Sequence, residues 1–304
     1  MRIGVIGLGK MGKQVVQRLL RAEHEVVVIS SRPETLEQAK GWGADIAADL
    51  ADLIHRLGPD PVVWIMIPSD AVEAELSKLL KLVPKGSVIV DGGNSDYRHT
   101  RLRAAKCAEH GVTLVDSGTS GGVRGLEHGF SIMVGGDKAT VDRLAPVFDA
   151  LAQKSGWGHF GPAGAGHFVK MVHNAIEYGM MESLAEGYRL LKESGDYPEL
   201  DLGKVGGVWQ HGSVVESLLN DLSAQVLQQN PALEGIDGFV NATGEAKWTL
   251  ERAQEVKLPM PSIEAAMEVR LASQGGDTTY ATKLLAAMRN AFGGHDINKP
   301  TTNP

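Results

Sequence analysis

The chain has 304 residues, with 30 basic and 37 acidic side chains, a formal net charge of −7 and a single cysteine, Cys107. No lysine or arginine cluster could follow a nucleic-acid backbone, no apolar run reaches the ~20 residues of a membrane span, and one cysteine excludes an internal disulfide. The amino terminus, MRIGVIGLGKMG, lacks the layout of a signal peptide. We therefore expect a cytoplasmic, soluble protein of about two domains, without nucleic acid or membrane as a partner.

A short apolar run at residues 2–6 is followed by a glycine pattern and then by a segment with helical periodicity. Strand, G-x-G-x-x-G and helix together are typical of dinucleotide binding, with the pyrophosphate at the helix N-terminus. A purely structural glycine turn is the alternative. The predicted cofactor contacts are Gly7, Leu8, Gly9, Lys10, Met11 and Gly12.

The second predicted strand, residues 25–29, ends in Ser30, Ser31 and Arg32. Proteins that bind NAD usually carry an acid there for the ribose 2′-hydroxyl, and this chain has none. Ser31 and Arg32 are suited to a 2′-phosphate, which favours NADP over NAD. The same residues are also compatible with a helix start, with Ser31 as N-cap and Pro33 at the first helical position.

Strands at 61–68 and 87–90 alternate with a helical pattern at 70–82. This alternation over ~150 residues predicts an α/β, doubly wound Rossmann domain whose ligands lie beyond the carboxyl ends of the strands. Ile67 and Asn94 lie at two such ends, so we expect Ile67 to contact cofactor and Asn94 to contact the nicotinamide or the substrate. An Asx turn is the alternative role for Asn94.

The next predicted strand, 112–116, leads into a glycine-rich loop at 117–122 whose amides suit a carboxylate. A further strand at 132–134 and a helix at 139–151 complete the dinucleotide-binding domain, residues 1–163. Beyond it, residues 164–304 have mostly helical periodicity and no clear strand. We expect an all-α second domain whose last helix, 278–295, stops at Gly293 and Gly294.

The helix at 166–189 starts this second domain. Five chemically different groups share one of its faces at helical spacing: Lys170, His173, Asn174, Glu177 and Tyr178. The other side is apolar or small and is expected to pack on a neighbouring element; it carries Val172, Ala175, Ile176, Gly179 and Met180. The spacing suits a substrate as long as a phosphorylated six-carbon acid, whereas the alternative is an ordinary solvated face.

These motifs resemble the short form of the decarboxylating 6-phosphogluconate dehydrogenases, within the β-hydroxyacid dehydrogenase group. The resemblance covers nearly the whole chain. It rests on GLGKMG at 7–12, DGGNS at 91–95, SGG at 120–122, GHFVKMVHNAIEY at 166–178, KWT at 247–249 and RNAFGGH at 289–295.

The resemblance implies oxidative decarboxylation of 6-phosphogluconate in a pentose phosphate or gluconate-using route. Lys170 would be the general base and Glu177 the acid that protonates the enediol, and no metal is expected. The residues implied around the substrate carboxylate and hydroxyls are Asn94, Ser120, Gly121, Gly122, His173 and Asn174. Those implied around its phosphate are Tyr178, Arg270, Arg289 and His295.

The resemblance also implies a homodimer or homotetramer in which the C-terminal tail completes the neighbour's site. Long forms carry a phosphate-binding lysine where this chain has Thr243. Two other functions remain open. A 3-hydroxyisobutyrate-type dehydrogenase would need no phosphate site, and a catalytically silent dinucleotide sensor would need neither the base nor the acid.

Overall fold

The computed structural model describes residues 1–242, 244–294 and 297. The chain forms two compact units, Met1–Met171 and Val172–Pro304. The sequence-based boundary between residues 163 and 164 remains a prediction.

The first unit contains one eight-stranded sheet in the order β3-β2-β1-β4-β5-β6-β7-β8. All neighbouring strands are parallel except β6 and β7, which are antiparallel. The strands are β1 (Arg2–Ile6), β2 (Glu25–Ile29), β3 (Asp45–Ile46), β4 (Val62–Ile65), β5 (Val88–Asp91), β6 (Thr113–Ser120), β7 (Phe130–Gly135) and β8 (Ala152–His159). This topology confirms the predicted doubly wound α/β fold.

Helices join the parallel strands and cover both faces of the sheet. Alternate residues of β4 belong to two separate cores, Val62 and Trp64 to one and Val63 and Ile65 to the other. Such burial on both sides explains the continuous apolar runs of the central strands. The helices are α1 (Lys10–Arg21), α2 (Pro33–Gly41), α3 (Leu50–Leu57), α4 (Val72–Leu79), α5 (Tyr97–Glu109), α6 (Gly125–His128), α7 (Lys138–Arg143) and α8 (Ala145–Leu151).

Most predicted elements of the first unit differ from the structure by a few residues at their ends, and two differ more. Residues 117–120 are not loop, because β6 continues to Ser120 by antiparallel pairing with β7. The single helix predicted at 139–151 is two helices, since the chain leaves α7 at Leu144 and Pro146 opens α8. A proline removes a helical N–H and is accepted in the first turn of a new helix.

Helix α9 (Ala165–Glu193) begins in the first unit and continues into the second. The other described elements of the second unit are all helical, as predicted: α10 (Leu202–Trp209), α11 (Leu218–Gln229), α12 (Glu245–Glu255), α13 (Pro261–Gln274) and α14 (Tyr280–Gly293). Helix α14 starts with a capping box at Thr279 and ends at Gly294, whose φ of 60° is left-handed.

Candidate active site

A cavity of about 360 Å³ in the first unit brings together many of the predicted cofactor residues. It lies at the carboxyl ends of strands, where doubly wound sheets bind their ligands. Its lining consists of Gly9, Lys10, Met11, Gly12, Met66, Ile67, Pro68, Gly92, Gly93, Asn94 and Thr119. Met66, Pro68 and Thr119 were not among the predicted residues, because their side chains carry no distinctive chemistry for this role.

The glycine pattern is required by the backbone as well as suited to a ligand. Gly7 has a φ of 97°, and a Cβ there would lie 2.5 Å from the carbonyl oxygen of Met66. A Cβ at Gly12 would clash with the carbonyl oxygen of Gly7. Leu8 has its side chain in the core, so only its backbone can face a ligand.

The N-terminus of α1 opens on this cavity at Gly9 and Lys10. Gly9 is the N-cap, has no side chain to cap the helix, and the first turn contains no acidic residue. The first amides of a helix carry partial positive charge and bind anions such as phosphate. These residues fit the pyrophosphate of a dinucleotide.

Arg32 lies beside the glycine turn, and Ser31 is not the N-cap that the alternative interpretation required, although Pro33 does open α2. The N-cap of α2 is Arg32. The Ser30 hydroxyl accepts a hydrogen bond from the Arg32 amide and also contacts the Thr35 hydroxyl. The Arg32 guanidinium donates from Nη2 to the Leu8 carbonyl oxygen at 2.9 Å. Arg32 and Ser31 are both exposed and accessible to a ligand.

A buried ion pair fixes the loop that carries Asn94. Asp91 is fully buried and accepts from the Gly93 amide (3.2 Å), the Ser95 hydroxyl (2.9 Å) and Nη1 of Arg103 (3.3 Å). These bonds satisfy a carboxylate that would otherwise be costly to bury. The pairing of Asp91 with Arg103 was not predicted, because a twelve-residue separation has no periodic signature.

Asn94 contacts the carboxyl end of β6, which leads into the glycine loop. The Asn94 Oδ1 atom accepts from the Thr119 amide at 3.3 Å. Ser120 ends β6, and Gly121 and Gly122 follow with φ of 140° and 52°. These φ values favour glycine. Because glycine has no side chain, the amides of the loop are left uncovered.

Lys170 is buried, with only 4% of its surface exposed. A Cβ at Gly118 of β6 would clash with the Lys170 Cβ, so glycine is what permits this close approach of α9 to the sheet. The start of α9 is held by the fully buried Asp116, which accepts from the Gly164 amide (2.6 Å) and the His167 amide (2.7 Å). A carboxylate in this position satisfies free helix amides and fixes the direction of the helix.

The second unit contains a separate group of predicted residues, centred on Arg270. Its guanidinium carbon lies 3.3 Å from the centre of the Tyr178 ring, and the residue has 0% exposure. Nη1 donates to the Asn241 carbonyl oxygen at 3.4 Å, while Nε has no hydrogen-bond partner among the described residues. Burial lowers the pKa of Arg270 to about 10. The result is a buried cation with unused donor capacity, which is suited to an anion.

Other predicted residues of the second unit have less specific surroundings. The His173 Nδ1 atom donates to Asn174 Oδ1 at 2.9 Å, and both side chains are partly exposed. Burial lowers the pKa of Arg289, whereas Tyr178 and Glu177 oppose that shift. The partly exposed Glu177 therefore lies within electrostatic range of Arg289. His295 and Thr243 lie outside the described residues.

The apolar side of α9 packs within the chain only in part, and Gly179 on this side lies against Ile263 of α13. Ala175 is fully buried, but Ile176 and Met180 are 52% and 45% exposed. The polar side instead contains the buried Lys170 and Tyr178. Helical spacing identified two faces, and each of them is buried in part and exposed in part within one chain.

Glu182 is a buried acid that the sequence analysis missed, since its spacing from Glu186 resembles an ordinary surface pattern. Burial, followed by repulsion from Glu186, raises the pKa of Glu182 from 4.5 to about 7, while the charge of Arg270 opposes the shift. The folded state therefore holds this proton after the unfolded chain has released it. The contribution of Glu182 to the free energy of unfolding is therefore fully present below pH 4.5 and is lost as the pH rises to about 7.

We expect Glu182→Gln to stabilise the protein at pH 8 by up to about 3 kcal/mol, because one pKa unit corresponds to about 1.4 kcal/mol. At pH 5 the gain should be below about 1 kcal/mol. Urea unfolding at both pH values measures the difference, with the exposed Glu199→Gln as control. An equal gain in stability at both pH values would contradict a raised pKa of Glu182 in the folded protein.

Within residues 1–242, 244–294 and 297, no three His, Cys, Asp or Glu side chains are grouped so as to hold a metal ion. Over the same part of the chain, no helix has both the length and the apolar character needed to cross a membrane.

Solved structures of two kinds share the fold. 6-Phosphogluconate dehydrogenase of Plasmodium falciparum, described in its apo form and in complexes with NADP+ and 6-phosphogluconate, superposes with a TM-score of 0.83 at 29% identity. The match covers 100% of this chain and 67% of that one. A 3-hydroxyisobutyrate dehydrogenase of Mycobacterium tuberculosis covers 93% of this chain and 98% of its own, with a TM-score of 0.74. At 21% identity it shows the fold alone.

Sequence comparisons identify the family across both units. The model for the NAD binding domain of 6-phosphogluconate dehydrogenase matches residues 2–160, and that for the 6-phosphogluconate dehydrogenase C-terminal domain matches 166–283. A putative 6-phosphogluconate dehydrogenase of Bacillus subtilis is 38% identical over 98% of this chain and 100% of its own. An NAD(+)-dependent, decarboxylating 6-phosphogluconate dehydrogenase of Haloferax volcanii is 41% identical over 98% of both. The chain belongs to the 6-phosphogluconate dehydrogenase family.

Proposed function

We propose that the protein oxidises and decarboxylates 6-phosphogluconate to ribulose 5-phosphate and CO2, with NADP or NAD as hydride acceptor. The observation that carries the choice of a phosphorylated substrate is Arg270, a buried guanidinium whose Nε has no hydrogen-bond partner among the described residues. A small non-phosphorylated acid gives no reason to bury such a cation. Family membership across both units supports the same reaction.

The proposed mechanism uses one base and one acid from α9. A bound nicotinamide dinucleotide would supply the hydride acceptor. Lys170 takes the proton from the 3-hydroxyl and, once protonated, donates a hydrogen bond to the new ketone while the C1 carboxylate leaves as CO2. Glu177 then protonates the carbon that lost CO2. The seven-residue separation of Lys170 and Glu177 is about 10 Å of helix rise.

We propose that two groups of residues make the remaining contacts with the substrate. Asn94, Ser120, Gly121, Gly122, His173 and Asn174 bind the carboxylate and hydroxyls. Tyr178, Arg270, Arg289 and His295 bind the phosphate. Arginine is suited to this task because its planar donors match phosphate oxygens.

The cofactor is NADP or NAD, and we propose that Arg32 favours NADP by binding the 2′-phosphate. We expect Arg32→Ala to lower kcat/KM for NADP by about 10- to 100-fold, the effect of one charge-assisted hydrogen bond, and to leave the NAD value nearly unchanged. Initial rates with both cofactors measure this, with the exposed Arg143→Ala as control. Equal losses with both cofactors would exclude a role in 2′-phosphate recognition.

We also propose a homodimer or homotetramer, supported by exposed apolar side chains in the second unit, including Ile176, Met180 and Val214. Ile176 and Met180 are one turn apart on α9, so their exposed side chains adjoin, as apolar side chains do at interaction surfaces. Sedimentation equilibrium of the full chain tests this. A monomer at micromolar concentration would contradict the proposal.

The reaction itself is tested by initial rates with 6-phosphogluconate and each cofactor, while released CO2 is trapped. One CO2 for each reduced cofactor is expected. Oxidation of a non-phosphorylated 3-hydroxy acid without oxidation of 6-phosphogluconate would favour a 3-hydroxyisobutyrate-type enzyme. Dinucleotide binding without any turnover would favour a silent sensor.

A further inference from the structure

Gln14 lies at the contact between the cofactor helix and the glycine loop after β6. It is in the second turn of α1 and is 8% exposed. Its side-chain nitrogen donates to two carbonyl oxygens, those of Lys10 and Gly122, each at 3.1 Å. Its side-chain oxygen accepts from the Leu126 amide at 2.7 Å. One carboxamide therefore uses both its donors and its acceptor.

The two carbonyl groups belong to different parts of the proposed site. Lys10 is the first residue of α1, beside the cavity that fits a dinucleotide pyrophosphate. Gly122 follows Gly121 in the loop proposed to bind the substrate carboxylate. The Gln14 side chain thus links the carbonyl group of Gly122 to the first turn of the cofactor helix.

The 120–126 segment is also held by β7, because Ser120 pairs with Ser131 and Gly125 packs directly against the ring of Phe130. Gly121 and Gly122 have positive φ values, which glycine adopts readily. The Arg124 amide donates to the Gly121 carbonyl oxygen at 3.2 Å and closes the turn on itself. Arg18, also on α1, donates to the Leu126 carbonyl oxygen at 3.0 Å. Helix α1 therefore supplies side-chain hydrogen bonds at both Gly122 and Leu126 of this segment.

We propose that Gln14 is a positioning residue that couples dinucleotide binding on α1 to the order of the 120–126 segment, and thereby sets the affinity for the substrate carboxylate. The assignment of that carboxylate to the loop rests on the proposed function. The coupling itself does not, because it concerns only the dinucleotide and the loop backbone. Binding that orders a shared element lowers the cost of the second binding step.

The first test compares Gln14→Met with Gln17→Met. Methionine keeps an unbranched side chain of similar length but lacks the carboxamide. Gln17 is on the same helix and only donates to the Lys13 carbonyl oxygen at 3.4 Å, so it is a matched control. In Gln14→Met we expect KM for 6-phosphogluconate to rise about tenfold with kcat changed less than about threefold. Gln17→Met should resemble wild type.

The second test is hydrogen–deuterium exchange of the full-length protein with and without saturating NADPH. In the wild type and in Gln17→Met, NADPH should slow exchange in both α1 and residues 120–126. In Gln14→Met the protection of α1 should remain and that of 120–126 should be lost. Equal loop protection in all three proteins would overturn the coupling, whatever the substrate is.

The kinetic test and the exchange test distinguish failure of the proposed function from failure of the Gln14 coupling. A wild type that does not oxidise 6-phosphogluconate would overturn the proposed function, while loop protection that depends on Gln14 would still support the coupling. An active wild type with the same KM in Gln14→Met and Gln17→Met would overturn the role in substrate affinity. A lower unfolding temperature of Gln14→Met without either change would assign it a structural role only.

Discussion

Lys170→Met is expected to lower kcat about a thousandfold or more, for both cofactor reduction and CO2 release. A general base contributes roughly 10²- to 10⁴-fold, and here the same amine also serves the decarboxylation step. Methionine fills the space of the lysine stem but cannot accept the hydroxyl proton. Because the Gly118 contact involves the lysine Cβ, which methionine retains, the fit of α9 against β6 should be preserved.

The experiment measures steady-state turnover together with dinucleotide affinity by fluorescence. Affinity should remain within about threefold of the wild type, since the glycine turn and α1 are unchanged. The control is Lys154→Met, an exposed lysine of β8 in the same unit. Turnover of Lys170→Met at the wild-type rate would remove Lys170 from the mechanism, and loss of dinucleotide affinity would indicate a wider structural change.

The fold could largely be predicted because its central elements have strong local signals. β1 and β4 are short apolar runs, and α9 has sustained helical spacing. Strand β8 had no such signal, because its sequence AQKSGWGH is polar and half exposed at the edge of the sheet. The extension of β6 through Ser-Gly-Thr-Ser depends on pairing with β7, a tertiary interaction that overrides weak local propensity.

Only part of the candidate site could be proposed from the sequence. Residues with distinctive chemistry and spacing, such as Lys170 and the glycines of the first turn, were proposed as site residues on that basis. The residues that hold them were not, because Asp116, Arg103 and Gln14 act over 48, 12 and 108 positions of sequence. Hydrogen bonds over such separations have no periodicity, so a single sequence does not indicate them.

Arg270→Met is expected to raise KM for 6-phosphogluconate about 100-fold or more while stability changes little. Loss of a charged group that binds phosphate through more than one hydrogen bond accounts for the rise. For stability, two effects oppose each other. The variant loses the cation–π contact with Tyr178, but it also removes a fully buried charge whose Nε has no partner among the described residues.

The ratio of kcat/KM for 6-phosphogluconate to that for gluconate is the measurement that isolates phosphate recognition. In Arg270→Met this ratio should fall about 100-fold, because the gluconate reaction never used the guanidinium. Arg189→Met, which removes an exposed arginine paired with Glu193, should leave the ratio unchanged. Arg270→Lys should give an intermediate ratio, since it keeps the charge but not the planar donors. If Arg270→Met instead lowers the unfolding free energy by several kcal/mol and changes both substrates equally, Arg270 is a structural residue and the phosphate site must be elsewhere.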